Sequence, residues 1–503
     1  MLNFSHFARL LPAVLLSIVA VNAEASSFRV QCPTSTTLHP TLPANPNSNP
    51  VGGQIKCQQI SGGDGFATMA DGTQTYLFAF GPLSGLADIR NGLPGTEAAT
   101  VFNTLGDPLN DPTFNGAVGL TPDPNSIPPN QIDGAVDPRP IMDVGVMNGN
   151  MPAPTMAIDE DDEFFLTLTN VGMIMRPDLF EQHTVHFHGY PNASAFYDGV
   201  PDASVAINIG GSFTYYYLAP DAGTYFFHCH ITPPEHLQMG MVGQIYVRPR
   251  QNRVPAGGSL YNGLVAQQTD PRTACGNDIL CSAPLPPANG VTHTNNKSGA
   301  PTLYAYNDGD GSTAYDVEYP IQIHGFDPNF HFVGMTFNPE PFTDMKDKFF
   351  LLNGRSYPDT VTAGPMQTPS ADGAMHFSQP LPTIINIPAG GKALLRISDL
   401  DVSEMQTLAS LGIPMHVIGY NAKLLRDMAG NNMAYDTNSI TLGGGESLDV
   451  ILDATDQRYQ AGQLYYLYTP NLDHLSNDAE NFGGLMTEVH ICNAVDPTTK
   501  ACS

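Results

Sequence analysis

The chain has 503 residues, with 20 Lys and Arg against 48 Asp and Glu and a formal net charge of −28. That length accommodates two or three domains of ordinary size. So acidic a surface repels nucleic acid and anionic membranes and attracts cations, although the same charge serves plain solubility equally well.

Residues 1–25 read as a secretory signal peptide. Arg9 precedes an apolar run over 10–21, which leads to the small-x-small site Ala23-Glu24-Ala25. An uncleaved anchor is the alternative, but the run is short for a bilayer, and no later stretch is long and apolar enough to span one. The mature chain is therefore expected to be exported, to a periplasm or to the extracellular space. Export places the cysteines in an oxidising compartment. Six fall into sequence-local pairs, Cys32 with Cys57, Cys275 with Cys281 and Cys492 with Cys502, although locality does not settle connectivity. Cys229 is left over, and an unpaired thiol in an exported protein needs a reason, of which metal ligation is one.

A Pro/Asn/Gly-rich N-terminal arm is expected over 26–70, closed by a disulfide. Residues 71–250 then form a first β-rich domain. Its runs of β-branched and aromatic residues, such as 164–169, 213–218 and 243–247, are separated by Gly, Pro, Asn and Asp clusters. A polar linker follows over 251–300, with Cys275, Cys281 and the sequon Asn296-Lys297-Ser298, which matters only in a glycosylating host. A second β-rich domain occupies 301–496, with one helix expected near 402–411, and residues 497–503 are a tail. The two domains read as a diverged repeat. Met147-Asn148-Gly149 matches Leu352-Asn353-Gly354, His186-Phe187-His188-Gly189-Tyr190 falls against His416-Val417-Ile418-Gly419-Tyr420, and His236-Leu237 falls against His474-Leu475. The expected fold class is all-β, two Greek-key β-sandwich domains of one type.

Chemistry concentrates in two segments. One reads His183-Thr184-Val185-His186-Phe187-His188-Gly189. The other reads His228-Cys229-His230, followed by His236 and Met241. Side chains alternate faces along a strand. If the two strands lie side by side, parity separates two groups. His183 and Cys229, completed by His236 and a weak axial Met241, make the ligand set of a blue, type 1 copper electron-transfer site. His186, His188, His228 and His230 offer four imidazoles, suited to one or two further coppers. The run His228-Cys229-His230 joins the groups covalently and is the expected electron path.

These spacings, His-x-x-His-x-His-Gly and His-Cys-His with a following His-x-x-x-Gly-Met, resemble the copper motifs of the multicopper oxidases. The likeness is close over 140–250, where Asn148 to Pro154, Asp198-Gly199-Val200-Pro201 and Ala222-Gly223-Thr224-Tyr225 also fit the family. Residues 345–490 look like a non-catalytic domain of the same kind. The resemblance implies cupredoxin-like domains and copper as cofactor. It places type 1 copper on His183, Cys229, His236 and Met241, and type 2/type 3 copper, where dioxygen becomes water, on His186, His188, His228 and His230. Two departures stand out. The loop Ile231-Thr232-Pro233-Pro234-Glu235 is longer than the family's usual spacer. The family's cluster also draws histidines equally from two domains, whereas the second domain here has Ile418 and Leu467-Tyr468-Thr469 at the matching positions. Only His416 and His474 remain there, read as remnants. A homo-oligomer is therefore expected, a second copy completing the histidine set. His324, His331, His376 and His490 read as ordinary histidines, and Met239 as packing.

The implied function is that of an exported oxidase drawing electrons from a phenolic compound or a low-valent metal ion such as Fe(II), Mn(II) or Cu(I). Asp198, Asp202 and Glu235 lie near the motifs and could attract cations, or serve simply as solvated loop carboxylates. Two alternatives stay open. One is a type 1 copper electron carrier or copper-handling protein without oxygen chemistry. The other is a nitrite reductase-like enzyme, disfavoured because that family normally has an acid where His186 stands and no His at position 230.

Overall fold

Strand β1 (Ile55–Thr68) and strand β2 (Gln74–Pro82) pair antiparallel in a register that sets Phe66 opposite Tyr76 and Gly62 opposite Phe80. The structure is a computed structural model that describes residues 28–40, 53–190, 194–219, 221–268, 284–297, 299–336 and 341–503. The expected signal peptide and the Cys275–Cys281 pair lie outside the described residues. The first domain continues through β3 (Met156–Asp159), β4 (Glu163–Gly172), β5 (His186–His188), β6 (Ser212–Leu218), β7 (Gly223–His228), α1 (Pro233–Gln238) and β8 (Val242–Arg248). One sheet runs β2-β1-β4-β6 and the other β3-β8-β7-β5. Their inward faces interdigitate around Phe164, Leu166, Phe187, Tyr215, Phe227 and Ile245, all nearly or wholly buried. Burial of this much aromatic and aliphatic surface is what holds two sheets face to face.

The second domain repeats the plan. It comprises β9 (Val317–Phe326), α2 (Pro328–Gly334), β10 (Phe349–Leu352), β11 (Ile385–Pro388), β12 (Lys392–Asp399), β13 (Gln406–Leu411), β14 (Met415–Tyr420), β15 (Ser439–Leu442), β16 (Ser447–Asp453), β17 (Leu464–Tyr468) and β18 (Met486–Cys492). The main strands of its larger sheet run β10-β9-β12-β16-β14, and the other sheet runs β11-β18-β17-β13-β15. The architecture is all-β, two cupredoxin-like Greek-key sandwiches. No helix among the described residues is long and apolar enough to cross a membrane.

Three segments differ from expectation. The stretch expected as an arm contributes β1, a central strand of the first sheet. Its glycines hide a strand that is buried along most of its length. The stretch near 402–411 is a strand, β13, not a helix, because its backbone pairs with β15 and β17 on either side. The polar linker carries an α-helix over Leu260–Gln268, and Gln251 bonds to Asn307 and Asp308, so this segment is docked on the second domain. Disulfides join Cys32 to Cys57 and Cys492 to Cys502.

The domains meet through a buried seam that joins apolar contacts, such as Leu77 and Met151 against Phe326 and Leu351, to polar ones. Gln244 Nε2 donates to the Arg396 carbonyl at 2.9 Å, Thr224 Oγ1 donates to Asp449 at 2.6 Å, and Glu318 receives both Arg248 and Arg396. Such pairs add little net stability but penalise any slip that strands one charge, so they fix the relative placement of the two sandwiches.

Candidate metal centre

The register of β5 against β7 decides which side chains meet. His186 lies opposite His228, Phe187 opposite Phe227 and His188 opposite Phe226. Alternation then puts His186, His188 and His228 on one face, and Val185, Phe187, Phe227 and Cys229 in the core between the sheets. His183 precedes β5 and is held by reciprocal backbone bonds to Ile207.

The core-side group is His183, Cys229 and His236, whose ligand atoms all lie within 4.8 Å of one another. All three are 0% exposed. The long spacer after His230 explains how His236 arrives. Thr232 takes a left-handed turn, Pro233 and Pro234 start α1, and its first turn swings His236 Nδ1 to 3.2 Å from Cys229 Sγ. Thr184 N–H donates to the same sulfur at 3.4 Å, and Thr184 Oγ1 accepts His230 N–H at 2.9 Å, so one threonine ties both segments together. Met241 is wholly buried beside this group. A Cβ on Gly62 would meet His183 Cδ2 at 2.7 Å and Met241 Cε at 3.4 Å.

Electrostatics favour a thiolate. Burial pushes the Cys229 thiol up, but positive charge at His236 and contact with the two imidazoles outweigh it, leaving the thiol well below its ordinary range. His236 moves up to about 10, because Cys229 and then Glu181 more than reverse the effect of burial. His183 is lowered, chiefly by burial. Its two ring nitrogens have no hydrogen-bond partner, nor does His236 Nε2. Buried polar atoms left unpaired cost about 1–3 kcal/mol each. A soft metal ion would take one of the His183 nitrogens, together with His236 Nδ1, the Cys229 thiolate and the Met241 thioether, so the residues present fit type 1 copper.

The second group lies on the opposite face. His186 is in ring contact with His188, His228 and His230 at centroid distances of 6.0, 5.3 and 5.2 Å. His186, His188 and His228 can present ligand atoms within 4.8 Å of one another. His186 Nδ1 bonds to the Asp198 carbonyl at 2.7 Å and His228 Nδ1 to the Cys229 carbonyl at 2.8 Å. Each Nδ1 must therefore donate, which leaves each Nε2 bare to ligate. Gly199 is needed for the first of these bonds. Its φ is +79°, and a Cβ there would sit 2.0 Å from the Val185 carbonyl oxygen. Burial lowers His228 to about 3 and also lowers His188, so both are neutral and ligand-ready.

A cavity of about 450 Å³ is lined by His188 and His228 and, from the second domain, by Asp401, Glu404 and Gly445, the last packed close to the His188 ring. His416 and His474 are elsewhere. His416 bonds to Asp436, and His474 is held by Gln406 and Glu404. His376 and His490 pair with Asp372 and Glu488.

Several contributors were not singled out from sequence. His324 bonds to the Leu237 carbonyl, His331 to the Gln238 carbonyl, and Asp347 to the Gln238 side chain. The second domain thus clamps α1, the helix that carries His236. Glu181 is another. Its Oε2 is 3.7 Å from His236 Nε2, and His236 holds its carboxyl below the usual range. Asp198 acts by its carbonyl, Asp202 is exposed, and burial raises Glu235 despite nearby His236. The signal for Glu181 was its place two residues before His183, which gives no hint of contact until α1 is folded back.

Residues 133–252 match the family model described as multicopper oxidase. Over 109 residues the chain is 34% identical to laccase abr2 of Aspergillus fumigatus, covering 21% of this chain and 17% of that one. It is 32% identical over 113 residues to the L-ascorbate oxidase of Cucumis sativus, covering 21% and 17%. The matches therefore span less than a fifth of the length of these relatives. Among solved structures, the multicopper oxidase mgLAC superposes with a TM-score of 0.50 at 15% identity, covering 89% of this chain and 93% of that one, which shows a common fold. Over residues 133–252 the chain is similar to multicopper oxidases, a family whose proteins bind copper.

Proposed function

We propose that the protein is an exported, copper-dependent oxidoreductase of the multicopper oxidase type. The observation that carries this reading is the back-to-back arrangement of two ligand groups on adjacent residues, His228, Cys229 and His230. His183, Cys229 and His236, with Met241 beside them, would hold type 1 copper. His186, His188, His228 and His230 would hold type 2/type 3 copper. Copper in these places supplies one-electron cycling at the thiolate group and dioxygen reduction at the imidazole group. The protein's own share is to seal the first group in the core, to connect it through two peptide units to the second, and to leave the second facing a cavity that admits a small molecule. The disulfides Cys32–Cys57 and Cys492–Cys502 accord with export.

On the reductant side, His236 is fully buried, and the partly exposed Glu181 carboxylate lies 3.7 Å from its Nε2. A bulky phenol cannot touch the imidazole directly, whereas a small cation can sit on the carboxylate. A low-valent metal ion is therefore the favoured donor, with phenols second. Glu181→Gln should slow Fe(II)-driven oxygen uptake far more than phenol-driven uptake, and equal losses would remove the argument for a cation.

His188 is exposed and the cavity opposite carries Asp401 and Glu404 where a full cluster would need imidazoles. A second copy of the chain completing the histidine set answers this. The same observation favours a second reading, an electron-transfer or copper-handling protein with no oxidase activity. Copper stoichiometry measured together with oligomeric mass decides between them. More copper than one per chain in an oligomer, with oxygen uptake, supports the oxidase. A monomer holding a single blue copper refutes the shared cluster.

A further inference from the structure

Strand β2 places Tyr76, Phe78 and Phe80 on one face at the two-residue period of a strand, and all three are buried. Their rings lead away from the thiolate group. Phe78 meets the His236 ring edge-on at 5.1 Å, Tyr76 meets Phe78 at 6.5 Å, and Phe66 of β1 meets Tyr76 at 5.8 Å. Phe66 is partly exposed. The Tyr76 hydroxyl donates to Asp64 Oδ1 at 2.6 Å, and Asp64 Oδ2 accepts the Met175 N–H at 2.8 Å. Asp64 is 1% exposed. The nearby Arg176 guanidinium is engaged by Asp178 at 2.9 Å. Packing alone would be served better by Phe at 76 and an apolar residue at 64, because a carboxylate taken out of water is costly. Burial does raise the Asp64 carboxyl, and burial with the adjacent Asp64 holds the Tyr76 phenol well above its ordinary range, so the shared proton rests on the phenol. Tyr215 also neighbours Cys229, but its hydroxyl accepts the Val185 N–H, and none of the hydrogen bonds described hands its proton to a carboxylate.

We propose that Tyr76 and Asp64 form a redox-active pair, an internal one-electron donor to the buried His183–Cys229–His236 group and a port through which that group exchanges electrons with the surface at Phe66. The inference rests on the reading that this group holds a redox metal. In the step, the Tyr76 O–H bond breaks. The electron passes by way of Phe78 to a one-electron oxidant held at His236, and the proton moves to Asp64 Oδ1. The products are a neutral tyrosyl radical, a protonated Asp64 and an acceptor reduced by one electron. A small one-electron reductant at the Phe66 edge then returns the electron, and the proton goes back from Asp64 to the phenol oxygen. An oxidase starved of reductant would in this way discharge its oxidising equivalents to solvent instead of damaging its core.

The test is freeze-quench electron paramagnetic resonance on the full chain in two preparations. One is copper-loaded, its thiolate–copper absorption recorded first, and is treated with hydrogen peroxide without reductant. The other is metal-free and is oxidised by photogenerated tris(bipyridyl)ruthenium(III). Both should give a tyrosyl radical that is lost in Tyr76→Phe. Asp64→Asn, which keeps an acceptor but cannot take the proton, should lower the radical yield while circular dichroism stays native. This second variant decides the matter if Tyr76→Phe does not fold. No Tyr76-dependent radical in the ruthenium-treated chain overturns the pair, and so does its absence in a chain that shows the blue absorption. A Tyr76 radical in a chain that takes up no copper leaves the pair standing and refutes the copper reading instead.

Discussion

Substituting Gly62 by Ala tests the geometry of the thiolate group without touching any of its ligands. Gly62 sits on β1 at the point where the strand passes under His183 and Met241. The added methyl carbon would lie 2.7 Å from His183 Cδ2, against an ordinary contact of 3.4 Å or more. Something must therefore yield by about 0.7 Å. Strand β1 is paired with β2 and β4 on both sides, with a register irregularity against β4 between Gly62 and Gly63, and the displacement is expected to fall on the His183 ring or on Met241. Metal sites tolerate only about 0.5 Å of ligand displacement before function suffers, and overpacking a core costs about 1–3 kcal/mol. Gly62→Ala should fold with a modestly lowered Tm, lose or shift its blue absorption, and bind copper at the thiolate group at least about tenfold more weakly, which corresponds to about 1.4 kcal/mol. Gly63→Ala is the control. Its new carbon would strike Val171 and the Gly172 carbonyl, not the ligand group, so it should cost stability and spare the spectrum. An unchanged absorption and electron paramagnetic resonance spectrum in copper-loaded Gly62→Ala would refute the reasoning.

Cys229→Ser should abolish the blue absorption while leaving copper on the imidazole face, and His230→Ala should do the reverse, keeping the colour and stopping oxygen uptake; copper analysis with optical spectra separates the two. Burial raises Glu97 and Asp347 to about 8 and Glu160 and Asp162 to about 7. Between the ordinary carboxylate range and these values the folded chain holds protons that the unfolded chain has released. The stability these four acids contribute is therefore fully present at acid pH and falls as pH rises, while His228 and His331, held by burial at about 3, contribute stability that is lost as pH falls below the ordinary imidazole range. Replacing Glu97 by Gln and Asp347 by Asn should remove part of the fall in Tm between about pH 5 and about pH 8, and a profile that keeps the parent's slope would contradict the burial of these acids. Removing the Cys32–Cys57 bridge, which closes a separation of 25 residues, should destabilise the first domain by about 3 kcal/mol, read from denaturant unfolding of Cys32→Ser against the parent.

How much of this was legible in the chain depends on whether a feature is local. Alternation along a strand is fixed by backbone geometry, so the split of His183 and Cys229 from His186, His188 and His228 could be written down before any fold was known. The register of β5 against β7 agrees with it. The repeat of two sandwiches was visible for the same reason, since turn residues and aromatic runs recur in order. The arm was misread because β1 is rich in Gly and polar residues, and only its partners β2 and β4 make it a strand. The segment near 402–411 was misread because a short run of this composition suits a helix or a strand until neighbours claim its hydrogen bonds.

The candidate ligand types, their spacing and the face each occupies follow from covalent order and from the two-residue period of a strand, and so could be read from the chain. What surrounds them depends on how the sheets and the two domains pack. That packing set Gly62 against His183, Glu181 against His236 and Phe78 against the same ring, and it brought His324, His331 and Asp347 of the second domain onto α1. Those contacts join residues far apart in the chain. Such pairings depend on how whole sheets pack, and no local pattern of residues encodes them.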